Sequence, residues 1–371
     1  MAHLDAELAD LDRGYALWFG AGVTAHLCAA AGVAARQWAG LVQLLEAAAG
    51  IVSPVGTFSE RLELCLRAIG RDAFQRALRT SLLDPVFNAV HGLGNHATQV
   101  GAVVPDVARR LAALGQLASP IASFNIESET SSIVGGCAGT YRLLPFLPPV
   151  PDSVADLQLH SFGNTGKPEP ARIIHHPHGV LDLTGICVLA ESDYESMNGT
   201  LALQLAIHLA FQRTLVIVGM SMDDEYLREQ LRAFRPHIQR VKWFVCGEIE
   251  AEKREWATLA RIEVVDVGAW ADFWAAVDRR FGSLVDGRAL ACAWHGRFEK
   301  ACFAVRGRNQ LGEQSQFQRA KGAPLTAVLK WTRLALLAGE PYTDPAAAAV
   351  PVQLSGQDAA TLAALHDACH A

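Results

Sequence analysis

The sequence predicts an α/β protein: a parallel sheet with helices on both faces, a helical insertion after the first strand, and a small, mainly helical C-terminal region. Three observations carry this. Residues 214–218, TLVIV, are apolar without polar alternation, as expected of a strand covered on both sides. From there strand and helix alternate: helix at about 225–235, strand at 241–246 (VKWFVC), helix at about 248–260, strand at 262–267 (IEVVDV), helix at about 269–281. And the earlier apolar runs stop abruptly on glycine, asparagine or histidine, the residue types that handle ligands at strand tips.

Taken in order, residues 15–19 (YALWF) form the first strand and end in Gly20-Ala21-Gly22-Val23-Thr24. The stretch from about 25 to 117 is rich in Ala, Leu and Arg and reads as the helical insertion, with stops at Gly50, Gly70 and near Gly92 and Gly94. A second run, Pro120 to Phe124, ends in Asn125-Ile126-Glu127. Residues 144–170, with six prolines between Pro145 and Pro170, read as loop. Next comes IIHHPHGVLD at 173–182; Pro177 lacks an N–H, so a central strand must end near it. Past residue 286 a basic stretch covers 297–322, an amphipathic helix is expected at 324–339, and a last helix follows Ser355. Two units result: 1–285 and a C-terminal helical region at 286–371, expected to contact a partner or a second copy.

Composition narrows the class. Of 371 residues 51% are hydrophobic and 19% charged, which suits a globular protein with a sizeable core. The net charge of −6 gives no global attraction to nucleic acid or anionic membrane. The basic stretch at 297–322 reads as a solvated face, so direct nucleic-acid binding is not expected. No apolar run reaches bilayer length, and the acidic start MAHLDAELADLD is unlike a secretion signal; a cytoplasmic location is expected. The eight cysteines form no Cys-x-x-Cys pair, so no structural zinc site is expected and most should be small buried residues.

Four strand ends carry the candidate chemistry. Gly20-Ala21-Gly22 lets a backbone approach a pyrophosphate at a helix N-terminus, or is simply a tight strand-to-helix turn. Asn125 can donate and accept at once, toward a ribose hydroxyl or a water, or cap a turn. His178, at the tip of its strand, titrates near neutral pH as a general base must. His175 and His176 read as structural. Gly219-Met220-Ser221 with Asp223-Asp224 offers a close approach, a hydroxyl and acids, or a plain N-cap at Ser221 or Asp223. A zinc site at the histidines lacks a cysteine or acidic ligand at a known spacing, so no metal is expected.

The order Gly-Ala-Gly, Asn-x-acid, His-Gly, Gly-x-Ser-x-x-Asp resembles the sirtuin fold, a Rossmann-like parallel sheet. Within that fold it resembles the NAD-hydrolysing sirtuin-like domain of bacterial anti-phage defence proteins. Gly32-Val33 with Trp38 and Leu41, and Leu189-Ala190-Glu191-Ser192-Asp193-Tyr194, are similar to stretches that follow the first and third motifs in that branch. The resemblance covers about residues 12–285. It departs from sirtuin deacylases in lacking their two Cys-x-x-Cys pairs and their Pro-Asp-Phe-Arg motif, and in reading Ser-Phe-Asn-Ile-Glu where they have Thr-Gln-Asn-x-Asp. A deacylase is therefore not expected.

The resemblance implies roles. Gly20, Ala21, Gly22 and Thr24 would cradle the NAD pyrophosphate, with Glu127 nearby. Asn125 would orient the nicotinamide ribose or the attacking water, and His178 would be the base. Gly219, Ser221 and Asp224 would border the adenosine half. NAD is then the substrate, split to nicotinamide and ADP-ribose by the toxic effector of an abortive-infection system. Such an enzyme needs restraint by self-assembly into a homo-oligomer or by a partner ATPase or Argonaute-type protein. Two alternatives stay open: a module that binds NAD or ADP-ribose without turnover, and an ADP-ribosyltransferase using the same residues.

Overall fold

The computed structural model describes residues 2–30, 32–34, 38–52, 55–83, 86, 107–136, 141–145, 172–181, 186–196 and 199–285. The C-terminal region expected at 286–371 lies outside the described residues, as do the helix stops near Gly92 and Gly94 and most of the proline-rich stretch.

Nine strands are described: β1 (Tyr15–Phe19), β2 (Ala118–Ser123), β3 (Tyr141–Pro145), β4 (Arg172–His176), β5 (Gly179–Val180), β6 (Ile186–Cys187), β7 (Thr214–Val218), β8 (Arg240–Val245) and β9 (Glu263–Asp266). Seven form one sheet in the order β3-β4-β2-β1-β7-β8-β9, and each neighbouring pair is parallel. Without β3, the order is the 3-2-1-4-5-6 arrangement of Rossmann-like sheets. β5 and β6 make a small antiparallel hairpin just beyond β4.

Alternate side chains of β1 and β7 feed opposite cores, which is why these two runs are apolar. Tyr15, Leu17 and Phe19 of β1, with Val216 and Val218 of β7, meet the helices Ala2–Ala9, Ala21–Ala30 and Trp270–Phe281 and the helical run at 107–115. Ala16 and Trp18, with Leu215 and Ile217, meet Gly199–Leu209, Glu225–Phe234 and Ala251–Leu259. Three of these helices fall where the alternation predicted them. The Ala2–Ala9 helix, unforeseen, is pinned by the buried Lys242 of β8, whose Nζ donates to the Glu7 carboxylate at 2.7 Å and to Asp10 at 3.0 Å. Two other differences concern the middle of the chain. β3 overlaps the start of the stretch expected to be loop, and helices Glu129–Gly136 and Glu191–Ser196 flank the expected site.

The insertion is helical where it is described: Trp38–Ala49, Phe58–Ile69 and Arg71–Leu78 follow one another. Thr57 and Glu60 close a reciprocal capping box on the second of these helices. Gly50 and Gly70 interrupt the run with positive φ, as the sequence predicts. Its apolar face, including Leu41, Leu45, Leu62, Leu66, Phe74 and Leu78, packs on Ile126, Leu181, Cys187 and Leu189. The insertion therefore sits over the segments that leave β2 and β4 at their carboxyl ends. Of the four described cysteines, Cys28, Cys65 and Cys187 are buried as expected, while Cys246 is exposed.

Candidate functional site

β4, β2, β1 and β7 are neighbours, so their chain exits stand side by side on the carboxyl edge of the sheet. The four segments singled out in the sequence are those exits. Hydrogen bonds stitch them together beyond the strands: Phe124 N–H to Phe19 O at 2.9 Å, Gly20 N–H to Val218 O at 3.2 Å, and Gly22 N–H to Gly219 O at 2.8 Å. The gap between β1 and β7 is where the strand order reverses, the place where ligands bind in such sheets.

At β1 and β7 the glycines first serve packing. A Cβ on Gly22 would lie 2.7 Å from Gly219 Cα, and one on Gly219 would lie 2.6 Å from Val23 N. Gly219 also has φ +65°, which favours glycine. Two backbones thus touch where side chains would hold them apart. Three amides of the first turn, those of Gly20, Gly22 and Val23, already bond within the protein. Ser221 is exposed. Asp223 pairs with Lys253, and the N-cap expected at Ser221 or Asp223 falls instead to Asp224. Its Oδ1 accepts from Leu227 N–H at 3.0 Å to start the Glu225–Phe234 helix.

Asn125 belongs to a buried polar cluster. Its Nδ2 donates to Thr24 Oγ at 2.9 Å, Thr24 donates to Glu127 Oε1 at 2.9 Å, and Thr130 Oγ lies 2.8 Å from the same Thr24 oxygen. Glu127 Oε2 accepts from Thr130 N–H at 2.9 Å. Thr24 and Glu127 are only 3% and 2% exposed. The Thr24 hydroxyl is thus spent on holding Asn125 and Glu127. Asn125 is 6% exposed, and its Nδ2 is the amide atom committed to Thr24.

β4 ends at His176, and Pro177-His178 turn into the hairpin as the proline predicts. His176 is fully buried; its Nδ1–H donates to Asn125 O at 3.1 Å, and Nε2 has no partner among the described residues. Burial pushes its pKa down to about 3, against the opposing pull of the Asn125 carbonyl, so the ring is neutral. His178 is tied at both nitrogens. Nδ1–H donates to Phe124 O at 3.2 Å, and Nε2 lies 3.0 Å from Asp224 Oδ2. That same carboxylate oxygen accepts the Tyr194 hydroxyl at 2.8 Å. Burial alone would raise the Asp224 pKa; the hydrogen bond and charge of His178, with Leu227 N–H and the Tyr194 hydroxyl, outweigh it and hold the group ionised below the usual carboxylate range. Tyr194 is held protonated by burial and by the Asp224 charge.

The structure thus gathers Gly20, Gly22, Thr24, Asn125, Glu127, His178, Gly219 and Asp224 on one edge, with Ala21 in the turn between. Asp224, expected at the adenosine half, lies against His178. Tyr194, Thr130 and Asp193 complete the network and were not assigned from the sequence. Tyr194 lay inside the quoted stretch Leu189 to Tyr194, but its role depends on Asp224 thirty residues away. Asp193, fully buried, accepts Leu189 and Ala190 N–H through Oδ2. Its Oδ1 is in ion contact with Arg71 of the insertion at 2.7 Å, off the alignment of a hydrogen bond.

Among the described residues no three His, Cys, Asp or Glu side chains gather around a point where a metal ion could sit. Nor is any described helix long and apolar enough to cross a membrane. No curated protein matches the chain. Residues 150–265 match the family of SIR2-like domains. That span takes in β4, His178, Gly219, Asp224 and most of β9; β1 and β2, with Gly20 and Asn125, lie ahead of it in sequence and beside it in the sheet. Sheet order and family match agree: residues 150–265 carry a sirtuin-like domain, and the chain has a Rossmann-like α/β fold.

Proposed function

We propose that the chain is an NAD glycohydrolase that cleaves NAD to nicotinamide and ADP-ribose, within a unit spanning 1–285. The observation that carries this reading is the meeting of Asn125 and His178 at one edge of a sirtuin-like sheet, where His176 and His178 bond the Asn125 and Phe124 carbonyls. SIR2-like domains are compatible with NAD-related chemistry.

The reaction asks little more of the protein. Nicotinamide leaves as a neutral molecule from a cationic nucleotide, so acid assistance is minor. The barrier is the oxocarbenium ion that develops on the ribose, met by a positioned water from its open face. Asn125 Oδ1 orients that water or the ribose, with the amide fixed by Thr24. His178 takes the proton from the water or from a ribose hydroxyl, a contribution of about two to four orders of magnitude in rate. The Gly20–Thr24 turn and the Gly219–Ser221 loop border the pyrophosphate and adenosine.

The product of such an enzyme is a cell emptied of NAD, which suits the effector of an abortive anti-phage response. Restraint then falls to a homo-oligomer or to a partner ATPase or Argonaute-type protein, with the region from 286 to 371 as the contact. The test is NAD consumption with chromatographic product analysis, comparing the full chain with Asn125→Ala and His178→Ala. Nicotinamide and ADP-ribose from the parent, with both variants folded and inactive, support the hydrolase. Tight binding without turnover would assign a sensor, and ADP-ribose recovered on a protein or nucleic acid would assign a transferase.

A further inference from the structure

His178 does not stand alone on the carboxyl edge. Its Nδ1–H is committed to the Phe124 carbonyl, so only Nε2 can exchange a proton with a ligand. Nε2 is 3.0 Å from Asp224 Oδ2, a distance that places a shared proton between them. Tyr194 donates to that oxygen at 2.8 Å and lies 3.4 Å from Nε2 itself, while its ring stacks on Tyr226 at 4.3 Å. The Phe124 ring meets the imidazole edge-on at 5.4 Å. The imidazole is therefore held by a carbonyl, a carboxylate, a phenol and an aromatic face.

Resting on the hydrolase reading, we propose that Asp224, steadied by the Tyr194 hydroxyl, works with His178 as a single proton-accepting pair. Asp224 and Tyr194 are positioning residues, acting through the imidazole. In the working form the shared proton is absent. The proton released from a water or ribose O–H then lands between Nε2 and Oδ2, and the pair passes from one net negative charge to none. The acid side of the pH profile of NAD hydrolysis then responds to substitution at either group. The other titratable groups near it are Glu225 and Tyr226 beside Asp224 and Asp193 behind Tyr194, with His176 and Glu127 farther off, bonded to the Asn125 carbonyl and to Thr24.

Asp224→Asn separates this role from the capping role, because asparagine caps a helix as well as aspartate does. Without the carboxylate the pair loses its attraction for the shared proton. In Asp224→Asn the acid limb of NAD hydrolysis moves to lower pH by about 1–3 units, the size of an opposite-charge effect at this range, and the plateau falls. Tyr194→Phe keeps the ring on Tyr226 and gives a smaller change. In parallel, the ring nitrogens of the 15N-histidine-labelled full chain are titrated by NMR, with His178→Gln to assign the signal. The titration midpoint moves with the kinetic limb. A folded Asp224→Asn chain with an unmoved limb and midpoint overturns the pair and leaves Asp224 a cap. A moved midpoint in a chain that never consumes NAD upholds the pair and overturns the hydrolase.

Discussion

Replacing Thr24 by valine removes one hydroxyl and almost no volume, and the structure says what that hydroxyl does. It accepts from Asn125 Nδ2, donates to Glu127 Oε1 and contacts Thr130 Oγ, all at 2.8–2.9 Å and all buried. In Thr24→Val the Glu127 carboxylate loses a donor and the Asn125 amide loses the Thr24 hydroxyl as acceptor. A hydrogen bond to a charged group contributes about 1.5–3 kcal/mol and a buried neutral donor left unmade costs about 1–3 kcal/mol. The expected destabilisation is on the order of 3 kcal/mol, read as a lower urea midpoint. Asn125 is then free to turn, and re-ordering it before each turnover at about 1.4 kcal/mol slows NAD cleavage roughly tenfold. Thr24→Ser, which keeps the oxygen, stays close to the parent in both assays. A Thr24→Val chain as stable as the parent to within about 0.5 kcal/mol would refute the reasoning, because unsatisfied partners in a closed cluster must cost more than a surface change.

Three further outcomes follow from packing and charge. Gly22→Ala puts a Cβ 2.7 Å from Gly219 Cα, a backbone atom that cannot swing aside; thermal unfolding should show a loss of about 1–3 kcal/mol. His176 is neutral when folded, with its pKa at about 3 against an ordinary 6.5. Between those values the unfolded chain binds the extra proton, so stability falls as pH drops, by about 1.4 kcal/mol per unit from this group. Urea midpoints measured from pH 6.5 to 4 read that slope, and His26, lowered to about 4 first by burial and then by Arg110, adds to it in the same sense. Lys242 has no exposed side-chain surface, whereas Glu7 and Asp10 keep 17% and 50% of theirs. Lys242→Met should therefore shift the urea midpoint little, while Glu7→Gln with Asp10→Asn leaves the buried ammonium without these two carboxylates, with the Glu7 carbonyl still accepting from it, and costs about 3 kcal/mol.

What was legible in the sequence was whatever a continuous apolar run and its abrupt end could signal. β1, β7 and β8 announce themselves because both faces are covered, and β9 by its place in the strand–helix alternation. Pro177 forces an end on β4. The strand ends could be nominated one by one, since glycine, asparagine and histidine at a tip are informative without a partner. β3 was hidden because Tyr141–Pro145 contains an arginine and runs into proline, composition that an outermost strand tolerates and an inner one does not. The cap was misplaced because Ser221, Asp223 and Asp224 can all cap. Which one does so depends on how the chain leaves Gly219, and Met222 at φ +55° carries that turn into the core. The resemblance sets Thr24 beside the pyrophosphate; that its hydroxyl bonds Asn125 and Glu127 is visible only in the fold.

The pairings that make the site work are between segments, and that is the information a single chain of letters lacks. Tyr194 can reach Asp224 only because the loop before it is folded around the buried Asp193 carboxylate, which takes two backbone N–H groups and faces Arg71. One residue earlier, Ser192 donates both its N–H and its hydroxyl to Glu63, at 3.1 and 2.6 Å. Arg71 and Glu63 both belong to the helical insertion, and Arg79 of the same insertion donates to Leu181 O, three residues after His178. The insertion is thus joined by charge to the segments on either side of the imidazole. Without it the Asp193 carboxylate would be buried without a cation, a state a protein avoids by unfolding the segment or protonating the acid. Either response would release Tyr194 from Asp224. The stretch that looked from its sequence like an interruption of the sheet is what holds the Asn125 and His178 edge of that sheet in shape.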